Sequence, residues 1–254
     1  MIDSIDLNTD MGESLGAWTI GDGVDSSILP LISTANVAAG FHAGDPSTMA
    51  RTLSEARQNG VAVGVHPGFN DLVGFGRRHI DAAPEELVND VLYQLGALRE
   101  LAKREGIALH HIKLHGALYM HGVRDRCFAS ALSTGLYASA PELPIYCLAG
   151  SELDFAAKKL GLQRVHEFYA DRDYDEQGNI IFVRRIDRLN PSHIAQKVLL
   201  ACRENLVKSI HGKTVPVSFQ SICIHSDTPG ALDIVKAVRT SLNEAGIHIK
   251  AFKN

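Results

Sequence analysis

Nowhere in this chain do two cysteines form a CxxC pair; Cys127, Cys147, Cys202 and Cys223 lie far apart. Such spacing reads as reduced core or surface thiols of a cytoplasmic protein. No run of about 18 apolar residues exists, so no membrane-spanning segment is expected. The opening stretch MIDSIDLNTDMGE lacks a basic segment followed by an apolar one, and no secretory signal is expected there. Long basic runs are missing too and the formal charge is −4, which argues against nucleic acid as the main ligand. The nearest approach to a phosphate-binding loop is HGKT at 211–214, and it fails because Val207 stands where the upstream glycine belongs. No linker, low-complexity tract or internal repeat divides the sequence, so residues 1–254 are expected to form one domain.

What is present is a core. With 45% hydrophobic residues in 254, the chain can bury its apolar side chains without staples. Short β-prone runs at 4–8, 34–39, 61–66, 110–115, 144–149, 164–170 and 220–225 alternate with helical patterns. The helices carry recognisable ends. Asp45-Pro46 and Asn190-Pro191 place a capping side chain before a first-turn proline, and Thr228-Pro229 repeats the pattern. Ser151 with Asp154 resembles a capping box, and Gly60, Gly161 and Gly246 supply stops. The segment 84–105 has Leu87, Val88, Val91, Leu95, Leu98 and Leu101 at helical spacing. Strand–helix alternation implies parallel strands joined by right-handed crossovers. Seven strands without a break predict an α/β fold, a single (β/α) barrel, seven-stranded and distorted, with an open doubly wound sheet as second choice. The stretch 173–185, DYDEQGNIIFVRR, reads as an inserted hairpin.

Strand parity then selects candidate residues. Side chains two apart share a face. Ile5 and Leu7 oppose Asp6, Asn8 and Asp10; Ile112 and Leu114 oppose His111, Lys113 and His115; Ile222 and Ile224 oppose Cys223 and His225. With the aliphatic set facing helices, Asp10, His66, Lys113, His115 and His225 point toward the barrel axis near the C-terminal strand ends, where barrel enzymes carry their sites. His42, just past the second strand, joins them. Glycines in GFHAGDP, HPGFNDLVGFGRR and LHGALY mark the same rim and admit a ligand close to the backbone. A single buried histidine is more often structural than catalytic, and His79, His121, His193, His211 and His248 read as surface residues. An inward Lys113 needs a carboxylate, a ligand or deprotonation, with Asp6 or Asp10 as its expected partner. HIKLH at 111–115 has HxxxH spacing, but on a strand it is not the helical zinc arrangement.

At DLNTDMGE (6–13), ANVAAGFHAGDP (35–46), GVHPGFNDLVGFGRR (64–78), KLHGALY (113–119), LAGSEL (148–153), EFYADRDY (167–174) and CIHSD (223–227) the chain resembles the LamB/YcsF family. Leu114, Asp173 and Ser226 depart from it, standing where proline, glycine and glycine are common. The resemblance implies a seven-stranded barrel similar to glycoside hydrolases and polysaccharide deacetylases. It also implies ATP-dependent cleavage of 5-oxoproline to glutamate, with ATP (as its Mg2+ complex) hydrolysed to ADP and phosphate and with two partner subunits. Such chemistry needs a base, an acid and positive charge near phosphate or oxyanion. Asp10, His66, Lys113 and His115 are the expected catalytic residues, with Asp10 and His66 or His115 sharing the proton work. Asn8, Glu13, His42, Asp45, Arg78, Arg172 and His225 are expected around substrate or nucleotide, with Lys113, Arg78 or Arg172 steadying negative charge. Replacing Lys113 by methionine is expected to remove activity and keep the fold. Two alternatives stand beside this reading. One is a metal-dependent deacetylase or amidohydrolase, with Asp10, His42, His66 and His115 as ligands of a divalent ion. The other is a non-catalytic scaffold for a partner enzyme.

Overall fold

The computed structural model describes residues 2–183 and 186–253. In the first strand, β1 (Ser4–Met11), Ile5 and Leu7 join the aliphatic core, while Asp6 and Asn8 face the barrel interior. The same two-residue period shapes β2 (Thr34–Ala38), β3 (Ala62–His66), β4 (His111–Lys113), β5 (Ile145–Cys147) and β6 (Arg164–Tyr169). A short antiparallel hairpin follows, β7 (Leu206–Lys208) with β8 (Thr214–Pro216), then β9 (Ser221–Cys223) and β10 (His248–Ile249). Among the described residues, all pairings between these strands outside that hairpin are parallel. Strand β9 lies between β6 (Glu167↔Ser221) and β1 (Asp6↔Ser221), which closes seven strands into a barrel and excludes the open sheet. Strand β10 adds to β1 at Ser4↔His248, outside the closed ring. The HGKT stretch lies in the β7–β8 turn, between antiparallel strands, where no helix follows to receive a phosphate.

Helices cover the outside: α1 (Asp25–Ile28), α2 (Pro46–Gln58), α3 (Pro84–Arg104), α4 (Gly116–Arg124), α5 (Arg126–Ser139), α6 (Glu152–Lys159), α7 (Pro191–Glu204) and α8 (Ala231–Glu244). Val198 and Ala201 on α7 and Val235, Val238 and Leu242 on α8 are buried in the core, each larger side chain contributing about 1.5–3 kcal/mol. No helix among the described residues is long and apolar enough to cross a membrane.

The caps form as their chemistry requires, with one exception. Asn190 accepts from the Ser192 and His193 amides, and Ser151 from Asp154. The Thr228-Pro229 pair does not start α8. That helix begins two residues later, after Gly230 at φ +78°, because the Thr228 hydroxyl is committed to Asp171 at 2.6 Å. Asp45 caps α2, accepting from the Ser47 and Thr48 amides, and also holds the Gly16 amide at 2.9 Å. These donors keep its carboxyl well below the ordinary value. Asp45 is thus engaged as the cap of α2 and as the acceptor of the Gly16 amide. Asp45→Ala is expected to lower stability by about 1 kcal/mol in urea denaturation and leave turnover intact. Loss of turnover at unchanged stability would return Asp45 to the site.

The inserted segment turns back on itself as expected. Tyr174 bridges Ile180, and the Ile181 amide donates to Asp173 at 2.8 Å. Its last two residues, 184–185, lie outside the described residues.

Candidate active site

A column of polar side chains fills the barrel axis, where a (β/α) barrel more often stacks aliphatic ones. Asp6 lies lowest. Burial raises its pKa, and four hydroxyls answer it: Ser33 at 2.6 Å, Thr34 and Tyr146 at 2.9 Å, and Ser221. Asn8 forms the next layer, accepting from Asn36 at 2.8 Å and donating to Ser221 at 2.7 Å and Glu167 at 3.2 Å. His111 donates to Asn36 at 2.6 Å and stacks on Tyr146. Gly64 in β3 is required by that ring: a Cβ there would meet the His111 imidazole at 2.3 Å.

Lys113 caps the column. Its ammonium reaches Asp10 at 2.9 Å, Glu167 at 3.3 Å and the Cys223 sulfur at 3.0 Å, with the side chain only 1% exposed. Burial disfavours the charge, but the Asp10 carboxylate outweighs it and holds Lys113 well above its ordinary pKa. Asp10 is held well below its own ordinary value against burial, by His66 and Lys113. Asp10 is thus the expected partner, Asp6 is not, and Glu167 is a second partner. Methionine at 113 would leave two carboxylates buried without their cation.

Four residues, His66, His115, Glu13 and His42, pack together next to Asp10. His66 donates Nδ1–H to the Lys113 carbonyl at 2.8 Å, and His115 donates Nε2–H to the Phe75 carbonyl at 2.8 Å. Phe75 sits at φ +53°, a costly conformation for an aromatic residue, and its carbonyl fixes the His115 tautomer. Glu13 approaches His115 at 3.2 Å and His42 at 3.3 Å. Burial, with His115 beside it, pushes His42 down to about 4, so the ring is neutral at pH 7. Gly76, at φ +59°, makes room: a Cβ would meet His42 at 2.7 Å and His115 at 2.8 Å.

Beyond Asp10 stands a pair of which the sequence reveals only one member. His225 donates Nδ1–H to Asp171 at 3.0 Å, and Asp171 also accepts from Thr228 and pairs with Arg172 at 2.9 Å. These partners hold the Asp171 carboxyl far below its ordinary value despite burial. The second His225 nitrogen lies 3.6 Å from Asp10 and borders the mouth. Asp10, His66, Lys113, His115, Arg172 and His225 all line this one opening, over which Ile180–Val183 of the insertion fold. Arg78 does not. It is 54% exposed and paired with Asp71, while the neighbouring Arg77 borders the mouth and pairs with Asp227 at 2.7 Å. Asn8 lies beneath the mouth, as a support for Lys113 and Glu167. Of the departures from the family pattern, Ser226 donates to the Asp10 carbonyl at 2.8 Å, and neither it nor Asp173 has the positive φ that would demand glycine.

Asp25 anchors the approach to Glu13 by accepting the Gly12 amide at 2.8 Å. Burial raises its carboxyl to about 6. A folded-state pKa above the unfolded one favours folding at low pH, and that contribution is lost as pH rises from about 4 through 6. Asp25→Asn is therefore expected to gain about 2 kcal/mol relative to the parent between pH 4 and pH 7, read from urea midpoints at each pH. A constant difference across that range would refute the assignment.

A closed parallel barrel with buried carboxylates and imidazoles at its C-terminal mouth defines the class: a (β/α)-barrel protein with a polar mouth. The LamB/YcsF family profile matches residues 5–254, and the chain belongs to that family. It is 58% identical over 247 residues to the first 5-oxoprolinase A-subunit of Pseudomonas aeruginosa, covering 97% of this chain and 98% of that protein. It is 44% identical to the 5-oxoprolinase A-subunit of Brevibacillus brevis, covering 98% of each. The crystal structure of the lactam utilization protein from Thermus thermophilus superposes with a TM-score of 0.90 at 41% identity, covering 98% of this chain and 100% of that one.

Proposed function

We propose that this chain is the lactam-opening component of an ATP-dependent 5-oxoprolinase that works with two partner subunits. The observation that carries the reading is the Asp171–His225 pair, which fixes one imidazole tautomer and turns the other nitrogen toward the mouth beside Asp10. The names of full-length relatives supply the substrate class.

A five-membered lactam is a poor electrophile, so water alone attacks it slowly. Transfer of the ATP γ-phosphoryl group to the ring oxygen makes the ring carbon electrophilic and releases ADP. Water adds to that carbon while His225 Nε2 takes its proton. The ring C–N bond then breaks as nitrogen is protonated, leaving an acyl phosphate, which a second water hydrolyses to glutamate and phosphate. Arg172 and Arg77 border the space where negative charge develops. Lys113 is neutralised by Asp10 and Glu167, so its part is to hold Asp10 in place.

The test mixes the chain with its two partner subunits, ATP-Mg2+ and 5-oxoproline, and measures glutamate and phosphate together. One-to-one release that vanishes when any component is omitted is expected. Lactam cleavage by this chain alone without ATP would overturn the proposal. So would full activity of the partners without this chain's His225, which is the scaffold outcome.

A further inference from the structure

At the top of the column two imidazole nitrogens and a carboxylate oxygen crowd together. Because His66 Nδ1–H and His115 Nε2–H are both spent on backbone carbonyls, His66 Nε2 and His115 Nδ1 are left facing each other at 3.0 Å. Glu13 Oε1 lies 3.2 Å from that His115 nitrogen and 4.0 Å from the His66 one. Acceptors facing acceptors at these distances repel unless a cation lies among them.

The spacing suits one ion. Zinc bonds to nitrogen and carboxylate oxygen at about 2.0–2.1 Å, which sets the ligand-to-ligand edge of a tetrahedron near about 3.3 Å. The three observed separations bracket that edge. Composition agrees: around the mouth the carboxylates of Asp10, Glu13, Glu167 and Asp171 outnumber the buried cationic side chains Lys113 and Arg172 by two. Arg77 is matched by Asp227.

The geometry points to a divalent transition-metal site, of the zinc type, held by Glu13, His66 and His115 with its fourth position open toward the mouth. His42 is placed as a support. Its ring stacks on His115 at 3.7 Å and within 6° of parallel, so its lone pair cannot aim in-plane at the ion that His115 binds. It donates Nε2–H to Glu13 and fixes that carboxylate. Asp10 gives Oδ1 to Lys113 at 2.9 Å, and its Oδ2 stands 3.2 Å from His66 Nε2 beside the ligands. The ligand set is therefore redrawn from the Asp10, His42, His66 and His115 that sequence suggested. Two imidazoles and one carboxylate disfavour Mg2+, which demands oxygen ligands and keeps its waters. The ion's use, polarising the carbonyl of a cyclic amide, rests on the lactam reading above; its binding does not.

The full chain, purified without chelator, is to be assayed for metal, stripped, and titrated with Zn2+ by calorimetry. Co2+ serves as a spectroscopic probe of coordination. One equivalent of Zn2+ and visible bands of four-coordinate Co2+ are expected, with no heat from Mg2+. His115→Gln and Glu13→Gln should each weaken Zn2+ at least about 100-fold while keeping the parent's circular dichroism. His166→Gln, in the separate Cys147–Asp154–His166 cluster, should bind as the parent does. Should a variant fail to fold, the Co2+ spectrum of the parent decides alone. Absence of stoichiometric Zn2+ in the parent, or loss of binding only with His166→Gln, overturns the site and leaves protons to separate the imidazoles. Zn2+ bound without lactam turnover in the full complex would retire the lactam reading and leave this site standing. Full turnover by stripped protein that binds no ion would do the reverse.

Discussion

Lys113→Met is expected to lower stability by about 3–5 kcal/mol, because it leaves Asp10 and Glu167 buried against each other without the ammonium between them. For a chain of this size that loss moves the melting temperature down by roughly 10 °C. The penalty arises from the abandoned carboxylates more than from the missing bond, which gives the control. Lys113→Met/Glu167→Gln removes one of the two stranded charges and should recover about 1–2 kcal/mol over Lys113→Met alone. Glu167 is the better choice for neutralisation. Asp10 keeps a 2.8 Å bond from Asn36 and its contact with His66, whereas Glu167 keeps only bonds of 3.2 Å from Asn8 and Tyr169. Both variants should be inactive in the reconstituted assay, since Asp10 loses its anchor in each. A Lys113→Met protein melting with the parent would show that the ion pairs do not hold the barrel. A double variant less stable than the single one would place the penalty elsewhere.

The barrel is legible because its outward faces are aliphatic. In β1, β3, β4 and β9 the alternation of Ile, Leu or Val with polar or small residues leaves one reading of which face is inside, and Asp10, His66, Lys113, His115 and His225 follow from it. Strand β6 carries no such signal. In RVHEFYA, polar and aromatic residues occupy both faces: Glu167 turns inward to Lys113, while His166 turns outward to Asp154. Asp171 escapes sequence reasoning for a different reason. It follows the strand in ADRDY, where period two has ended and three charged residues compete, and only the packing of β6 against β9 brings it to His225. Arg77 takes the place expected for Arg78 because Gly76, at positive φ, reverses the chain just before them and no sequence rule fixes which arginine then faces the mouth. Asp45 reads both as cap and as rim; the four donors around its carboxylate show the first.

Asp171→Asn and His225→Gln are each expected to lower turnover of the reconstituted enzyme by about 10²–10⁴-fold. The argument starts from one proton. With a carboxylate at 3.0 Å, His225 carries a hydrogen on Nδ1, which makes Nε2 the nitrogen that can take a proton at the mouth. An asparagine amide at 171 can donate to Nδ1 instead, moving the hydrogen to Nε2 and removing the base from the water it must deprotonate. Residues that act as one unit lose activity once, so the double variant should be no slower than the slower single one. Stability separates this from simple damage. Asp171→Asn also strips Arg172 of its carboxylate and should destabilise the chain, whereas His225→Gln leaves the Asp171–Arg172 pair at 2.9 Å intact and should melt near the parent. Turnover measured well below both melting transitions, with glutamate and phosphate followed together, then reports chemistry. Multiplying losses in the double variant would mean that Asp171 and His225 act independently. Near-parent turnover of His225→Gln would remove His225 as the base and transfer the proton work to another group at the mouth.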